Sequence, residues 1–390
     1  MELNSEEYNA AHEASKKFKI VENKNAKTAD ELSELLGGEV GFGRVFADYM
    51  AHIKFKANAT TDNSHLGIDK IGGAWTGHEI IPFDNISISP AAAVLHYAQE
   101  VFEGAKAYKR ADGSIWLFRP ELNAARFNAS ADRLALPNLP AEDFLGSIIA
   151  VVRQCSHWVP NDHDKSLYIR PLMIATEPFL GVRATHEADY YCILSPVAGY
   201  FGSYEPVNIW VSRDYHRSAP GGTGAAKTGG NYAASLKPAQ EAYSRGGFVQ
   251  MLYLDAANKE NVEELGGMSL FVVYSDGHVE TPRLNGQILD SITRRCIIQL
   301  FKDKGVDVRE TTIGITKLVE DIKSGAVIET FACGTGAMAS TIGRLASDDF
   351  DVEIGNPNEA GKVTMSIYNE LAGIQQGTVP DVHNWCFKVM

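Results

Sequence analysis

Residues 221–232 read Gly-Gly-Thr-Gly-Ala-Ala-Lys-Thr-Gly-Gly-Asn-Tyr and place one lysine, Lys227, inside a glycine-rich loop. Five of the first ten positions of this stretch are glycine. Because glycine adopts positive φ without a steric cost, such a loop can turn tightly and bring its backbone close to a ligand. The stretch therefore raises the question of what Lys227 does there.

Three interpretations of this loop remain open when it is considered alone. A phosphate-binding loop of a nucleotide hydrolase requires glycine directly before its lysine, and Ala226 in that position argues against it. A surface loop with an exposed lysine is the ordinary outcome for this residue type. A lysine held among small residues and away from water can instead use its amine to attack an aldehyde carbon.

Strand-like and helix-like patterns alternate on both sides of the loop. The run Val101–Tyr108 predicts a strand, Glu121–Leu136 predicts a helix whose start suits Pro120, and Tyr232–Arg245 predicts another helix. Because the two kinds of pattern are mixed through the whole chain, we expect an α/β protein of the mixed α+β kind.

A run of small residues near the middle of the chain predicts a boundary between two domains. We expect a small N-terminal domain at 1–198, which includes a polar, helix-prone extension over about the first forty residues. A linker is expected at 199–205. The remainder, 206–390, is expected to form a large domain that binds the cofactor.

The composition argues against several classes of partner. The 390 residues include 36 basic and 49 acidic ones, and the resulting net charge of −13 argues against nucleic acid and anionic membranes. No apolar run is long enough to cross a membrane, and the N-terminus lacks the apolar segment of a secretory signal, so we expect a cytoplasmic protein. The five cysteines form no C-x-x-C pair, so neither disulfides nor a metal site is predicted.

The string K-x-G-G-N-Y, from Lys227 to Tyr232, resembles the segment around the cofactor lysine of the branched-chain aminotransferases. These enzymes have the two-domain fold type IV of pyridoxal-phosphate enzymes, the fold of D-amino-acid aminotransferase. The resemblance runs from Phe42 to the C-terminal string G-I-Q-Q-G at 373–377. It implies pyridoxal 5′-phosphate as the cofactor and Lys227 as the residue that holds it covalently and catalyses proton transfer.

The same resemblance assigns the remaining cofactor contacts. Glu264, in the segment Glu263–Phe271, is implied as the carboxylate beside the ring nitrogen, although Ser269 stands where the family usually has asparagine. Arg126, rather than Arg119, is implied as the phosphate arginine, and a helix start at 292–293 supplies further donors. The cofactor-binding residues implied in this way are Arg126, Lys227, Tyr232, Glu264, Ile292, Thr293 and Thr335.

The substrate residues implied by the resemblance combine aromatic rings with a few polar groups. The aromatic ones lie in the strings F-G, L-H-Y and F-E-G, and a small-residue turn exposes backbone N–H groups to a carboxylate. The implied substrate-binding residues are Phe42, Tyr97, Phe102, Tyr168, Arg170, Gly336 and Ala337.

The implied activity is reversible transamination between L-leucine, L-isoleucine or L-valine and 2-oxoglutarate, which gives branched-chain 2-oxo acids and L-glutamate. The resemblance also implies a homodimer, with Tyr97 near the subunit boundary. D-amino-acid aminotransferases and aminodeoxychorismate lyases of the same fold are the alternatives, and a non-enzymatic binding protein is a more remote one. A pocket that accepts three similar aliphatic side chains discriminates weakly among them, so no preferred substrate is predicted.

Overall fold

The computed structural model describes residues 5–58, 72–162, 164–198 and 204–390. A single turn of 3-10 helix at Ser156–Trp158 accompanies the α-helices. The helices are α1 (Ser5–Ser15), α2 (Ala29–Gly37), α3 (Ala93–Tyr97), α4 (Pro120–Arg133), α5 (Ala141–Gln154), α6 (Gly229–Ala233), α7 (Leu236–Ser244), α8 (Ile292–Asp303), α9 (Ile315–Ser324) and α10 (Lys362–Gln376).

Strands are spread over the whole length of the chain, so the predicted mixed α/β class is confirmed. They are β1 (Lys19–Ile20), β2 (Tyr49–Ala57), β3 (Gly73–Pro82), β4 (Glu100–Phe102), β5 (Ala105–Lys109), β6 (Ile115–Phe118), β7 (Ser166–Ala175), β8 (Glu187–Val197), β9 (Val207–Ser212), β10 (Gln250–Leu254), β11 (Val262–Leu265), β12 (Ser269–Tyr274), β13 (Val279–Pro282), β14 (Val308–Thr311), β15 (Val327–Gly334), β16 (Met338–Ala346), β17 (Asp351–Glu353) and β18 (Cys386–Lys388). Within the described ranges, no helix is long and apolar enough to cross a membrane.

The chain forms two compact units. The first unit contains Met1–Tyr200, Ala226–Gly229 and Ile374–Met390, and the second contains Phe201–Ala225 and Gly230–Gly373. The predicted linker lies mostly outside the described residues, which omit 199–203. The predicted limits 1–198 and 206–390 stay a prediction. The units differ from them at 226–229 and 374–390. There, a backbone hydrogen bond from Phe102 to Lys227 and the pairing of β18 with β6 join the chain to the first unit.

The first unit is built on a nine-stranded sheet in the order β1-β3-β2-β8-β7-β5-β6-β18, with β4 paired to β7. Its core lies on one face of this sheet, where Leu167 and Ile169 of β7 are buried under Phe127 of α4 and Phe144 of α5. Because side chains alternate along a strand, Tyr168 is directed to the opposite face. That face carries residues predicted to bind the substrate.

The second unit contains another nine-stranded sheet, ordered β11-β10-β9-β16-β15-β12-β13-β14, with β17 paired to β16. Strand β9 is parallel to both of its neighbours, whereas β11, β12 and β15 pair with antiparallel partners. Strand β11, the turn that follows it and the helix α8 carry residues of the predicted cofactor site.

Three predicted elements differ from the structure in their limits. The predicted strand Val101–Tyr108 is interrupted at Glu103 and Gly104, because the Glu103 carboxylate accepts the N–H of Gly104. The predicted helix Glu121–Leu136 ends at Arg133, since Ala135 takes a positive φ of 54°.

The predicted helix Tyr232–Arg245 is divided into α6 and α7. The break before Leu236 places Pro238 in the first turn of α7, where its missing N–H leaves no helical hydrogen bond unmade.

Candidate active site

Lys227 is attached to the first unit through its backbone. Its N–H donates to Oγ of Ser130 at 2.9 Å, and its carbonyl accepts the N–H of Phe102 at 3.1 Å. Its Nζ lies 4.7 Å from the centre of the Phe102 ring. The structure therefore brings together Lys227 and Phe102, both predicted from the sequence, and adds Ser130 from the last turn of α4.

Glu100 holds the two residues that follow the lysine. Its carboxylate accepts the backbone N–H of Gly229 and, at 3.5 Å, the hydroxyl of Thr228. A Cβ atom at Gly229 would collide with this carboxylate, so a larger residue there would displace the Glu100 side chain. Burial raises the pKa of Glu100, and the hydrogen bonds from Gly229 and Thr228 oppose that effect.

Arg126 forms a two-point ion pair with Glu103, whose side chain is completely buried. Its Nε lies 2.6 Å from Oε1 and its Nη2 lies 2.7 Å from Oε2. Asn123 Nδ2, at 2.7 Å, and the N–H of Gly104, at 3.1 Å, also donate to Oε2. Burial raises the pKa of Glu103, but the charge and hydrogen bonds of Arg126 outweigh it, so the pKa lies below its ordinary value.

Four of the predicted substrate residues lie on one side of the first unit's sheet. Nη2 of Arg170 donates to the Tyr168 hydroxyl at 3.1 Å, and the Arg170 guanidinium lies 4.8 Å from the centre of the Phe102 ring. The Phe42 ring meets the Tyr168 ring edge-on at 5.1 Å. A Cβ at Gly104 would collide with the Tyr168 hydroxyl, so glycine allows this arrangement.

Lys106 adds a buried cation to the same face, because it lies opposite Tyr168 in the register of β5 and β7. Burial lowers the pKa of Lys106 to about 8. Tyr97, by contrast, is 41% exposed on α3 and donates its hydroxyl to the carbonyl of Leu180.

Glu264 lies in β11 of the second unit and pairs with an arginine that the sequence analysis did not identify. Nη1 of Arg217 lies 2.8 Å from Oε1 of Glu264, and both side chains are almost completely buried. The N–H of Leu289 donates to the same oxygen at 2.7 Å.

Several polar atoms around this pair are buried without a hydrogen-bond partner among the described residues. They are Nε and Nη2 of Arg217, Oε2 of Glu263, Oγ of Ser269 and Oε1 of Gln287. Since buried polar groups are usually paired, this region has the donors and acceptors of a site that a polar ligand or water completes.

The other predicted residues of the second unit lie at the ends of elements. Ile292 and Thr293 begin α8, where the first N–H groups have no acceptor within the helix. A Cβ at Gly267 would lie 3.4 Å from the Tyr232 ring, so this ring packs against the turn between β11 and β12. The turn between β15 and β16 contains Thr335, Gly336 and Ala337.

The sequence analysis missed five residues that hold these groups. Glu103 lies in the F-E-G string that was used only for Phe102, so a local signal for it existed. Glu100, Lys106, Ser130 and Arg217 have no local signal, because their roles depend on partners distant in sequence.

Comparison with known proteins agrees with the resemblance seen in the sequence. The family model for amino-transferase class IV matches residues 100–342. The branched-chain-amino-acid aminotransferase of Mycolicibacterium smegmatis is 42% identical over 377 residues, which cover 95% of this chain and 98% of that protein. The branched-chain-amino-acid aminotransferase 2 of Bacillus subtilis is 42% identical over 352 residues, with coverages of 90% and 92%.

Solved structures show the same fold. The branched-chain amino acid aminotransferase of Escherichia coli superimposes with a TM-score of 0.69 at 27% identity, covering 80% of this chain and 97% of that one. The T.th. branched-chain amino acid aminotransferase with pyridoxamine 5′-phosphate gives a TM-score of 0.68 at 26% identity, with coverages of 86% and 98%. The fold is therefore type IV, as predicted, and the chain belongs to the class IV aminotransferases and, among them, to the branched-chain-amino-acid aminotransferases.

Proposed function

We propose that this enzyme reversibly transfers the amino group between L-leucine, L-isoleucine or L-valine and 2-oxoglutarate. The proposal that one site binds both aliphatic and acidic substrates rests on the arrangement of Arg170 and Tyr168 beside the rings of Phe42 and Phe102. Aromatic surfaces accept an aliphatic side chain, while a guanidinium and a hydroxyl next to them can bind the distal carboxylate of glutamate. Both kinds of substrate then use the same residues in turn.

Pyridoxal 5′-phosphate is the cofactor, and the residues present fit its three functional parts. An amine for its aldehyde is available at Lys227, and a buried carboxylate for its ring nitrogen at Glu264. For the phosphate, Arg126 and the start of α8 at Ile292 and Thr293 supply a guanidinium and backbone N–H groups. When bound, the cofactor supplies an electron sink for the bonds at the substrate Cα.

We assign the proton transfers to Lys227. Its amine would hold the cofactor covalently and, when free, would act as the base that moves the proton at the substrate Cα. Ser130 and Phe102 fix the lysine backbone, so only the side chain has to move between the two tasks.

Two further residues are assigned by their surroundings. Glu264 would hold the protonated ring nitrogen, because its carboxylate is fixed by the Arg217 guanidinium and the N–H of Leu289. Tyr232, packed on the turn between β11 and β12, would lie at the 3′-oxygen of the cofactor. Thr335 adds a donor to the cofactor, and the N–H groups of Gly336 and Ala337 bind the substrate carboxylate.

We also propose that the enzyme works as a homodimer in the cytoplasm. Large apolar side chains around Tyr97 are exposed, among them Leu95, Leu180 and Val182, the last of which is 85% exposed. A second copy covering these residues would remove them from water. Analytical ultracentrifugation at assay concentration is expected to find a dimer or a multiple of one, and an active monomer would contradict the proposal.

The assignment of substrate is tested by a coupled assay of the purified holoenzyme. L-Leucine, L-isoleucine and L-valine, each with 2-oxoglutarate, are expected to give L-glutamate with ping-pong kinetics. The alternative of a D-amino-acid aminotransferase predicts activity on D-alanine and none on L-leucine, and an aminodeoxychorismate lyase predicts neither. A protein without a visible absorption band after incubation with pyridoxal phosphate would contradict the whole assignment.

A further inference from the structure

A buried ion pair joins Arg217 to Glu264 in the second unit. The side chains of the two residues are 1% and 3% exposed, and the Nη1–Oε1 distance is 2.8 Å. A buried charge without a counter-charge is strongly unfavourable, so each member of the pair depends on the other.

The contacts of Arg217 all converge on a single nitrogen. Besides Glu264, Nη1 donates to the carbonyl of Gly224 at 3.1 Å and of Gln287 at 3.3 Å. Nε and Nη2 are buried without a hydrogen-bond partner among the residues that the structure describes. The position of the guanidinium therefore depends on one nitrogen and on the charge of Glu264.

The two carbonyls belong to segments that approach each other very closely. A Cβ at Gly224 would collide with the carbonyl of Gln287, so only glycine fits there. Gly224 belongs to the glycine-rich loop, and Gln287 belongs to the segment that leads to α8 at Ile292. Arg217 thus ties both segments to the carboxylate of Glu264.

We propose that Arg217 is a positioning residue of the transamination reaction, which holds Glu264 ionised and correctly oriented for the ring nitrogen of the cofactor. This inference rests on the role proposed for Glu264. In this role Arg217 acts through the carboxylate of Glu264. Because a single nitrogen of Arg217 is used, a lysine at this position can replace much of its function, whereas an uncharged side chain cannot.

The first experiment measures the ion pair without the cofactor. The urea unfolding of the cofactor-free protein is compared for wild type, Arg217→Met, Glu264→Gln and the double variant. Each single substitution leaves one buried polar group without its partner, so the double variant is expected to be less destabilised than the two effects combined. The expected coupling is a factor of about ten or more in the unfolding equilibrium constant, or about 1.4 kcal/mol.

A matched control uses another buried arginine of the same unit. Arg294, whose side chain is 1% exposed, pairs with Glu310 at 2.9 Å and has no ion pair with Glu264. Arg294→Met combined with Glu264→Gln is therefore expected to be additive. Additive behaviour of Arg217→Met with Glu264→Gln as well would overturn the proposal.

The second experiment measures the holoenzyme with L-leucine and 2-oxoglutarate. Arg217→Met is expected to lower kcat about tenfold or more with a smaller change in KM, and to shift the visible band of the bound cofactor. Arg217→Lys is expected to recover most of kcat and the wild-type band. Wild-type kcat and spectrum in Arg217→Met would overturn the proposal, as would an Arg217→Lys variant no better than Arg217→Met.

Failure of the proposed role of Glu264 has a separate signature. If Glu264→Gln kept wild-type kcat while the coupling persisted in the cofactor-free protein, the ion pair would stand but the carboxylate would have no function at the ring nitrogen. If Arg217→Met does not fold, the double variant Arg217→Met/Glu264→Gln tests the ion pair instead. It leaves no buried charge unpaired, so it is expected to fold. Failure of both variants to fold would overturn the proposal.

Discussion

Two buried arginine–glutamate pairs, one in each unit, differ in how completely they are bonded. In the first unit, Arg126 uses two nitrogens on both oxygens of Glu103, and Asn123 adds a further donor. In the second unit, Arg217 uses one nitrogen on one oxygen of Glu264. The first pair is bonded at both carboxylate oxygens, whereas in the second Nε and Nη2 of Arg217 are buried without a hydrogen-bond partner among the described residues.

This difference suggests that the two ion pairs have different roles. The first pair belongs to the framework around Lys227, since the lysine charge contributes to the lowered pKa of Glu103. The second pair has fewer bonds between its two side chains, because Arg217 contacts Glu264 through Nη1 alone. Loss of Glu103 should therefore act mainly on folding, whereas loss of Arg217 should act on both folding and the cofactor site.

The largest effect is expected at the residue that the first framework holds. Lys227→Ala should lower transamination by about four orders of magnitude or more and abolish the visible band of the bound cofactor, because the covalent anchor and the base are lost together. The measurements are kcat/KM with L-leucine and an absorption spectrum. Lys237→Ala, at an exposed helical lysine, is the control and should behave as wild type. Turnover retained by Lys227→Ala would remove the lysine from the mechanism.

The next largest effect tests whether the first pair is structural. Glu103→Ala leaves the Arg126 guanidinium without its carboxylate and is expected to reduce the free energy of unfolding of the cofactor-free protein by about 3–5 kcal/mol. Asp351→Ala, which breaks the exposed pair with Arg344, should cost only about 0–1 kcal/mol. Equal losses of unfolding free energy in the two variants, measured by urea unfolding, would show that the Arg126–Glu103 pair does not stabilise the fold more than an exposed pair does.

A smaller effect is expected from Glu263, which lies next to Glu264 in β11. Burial and the charges of Glu264 and Asp255 raise its pKa to about 7, although Asn285 and Arg217 oppose the shift. Because the pKa in the folded protein is raised, Glu263 favours folding below the unfolded pKa of about 4.3, and this contribution is lost as the pH rises to about 7.

The test is the isosteric variant Glu263→Gln, which removes this titration. It should be about 1–3 kcal/mol more stable than wild type at pH 8 and nearly equal to it at pH 4, measured by urea unfolding of the cofactor-free protein. Glu353→Gln, at an exposed position, should show no such pH-dependent difference. A wild type that gains stability relative to Glu263→Gln as the pH rises would reverse the sign and refute the argument.

The smallest effect concerns the hydrogen bond between Ser130 and the backbone of Lys227. Ser130→Ala removes one neutral hydrogen bond, which is worth about 0.5–1.5 kcal/mol, so kcat should fall by roughly 2–10-fold while the protein still binds the cofactor. Ser244→Ala, at an exposed helix end, is the matched control. An unchanged kcat in Ser130→Ala would mean that the Phe102 contact alone holds the lysine.

Features with a local signature were predictable from the sequence. The strands Ser166–Ala175 and Val207–Ser212 are evident from their apolar residues, and the loop around Lys227 from its glycines. Helix ends were less predictable, because the end of α4 depends on the positive φ of Ala135.

The side chains that hold the reactive groups could not be found in this way. Ser130 and Lys227 are 97 residues apart, so their hydrogen bond exists only in the folded chain. Arg217 is polar in a region rich in small residues, where an exposed arginine is the usual expectation. Its buried guanidinium donates to the carbonyls of Gly224 and Gln287, and no spacing in the sequence predicts these two contacts.

The return of the C-terminal segment to the first unit has a consequence for biosynthesis. Tyr8 donates its hydroxyl to the carbonyl of Lys388, 380 residues later, and β18 pairs with β6. At about 5–20 residues per second, a ribosome needs roughly 20–80 s to connect these positions. The half that emerges first therefore waits with an unpaired strand at its sheet edge, while the nearly continuous second unit can fold as it appears. A nascent chain stalled after residue 373 would thus be defective in its N-terminal half, and protection of that half by chaperones until release is the expected requirement in the cell.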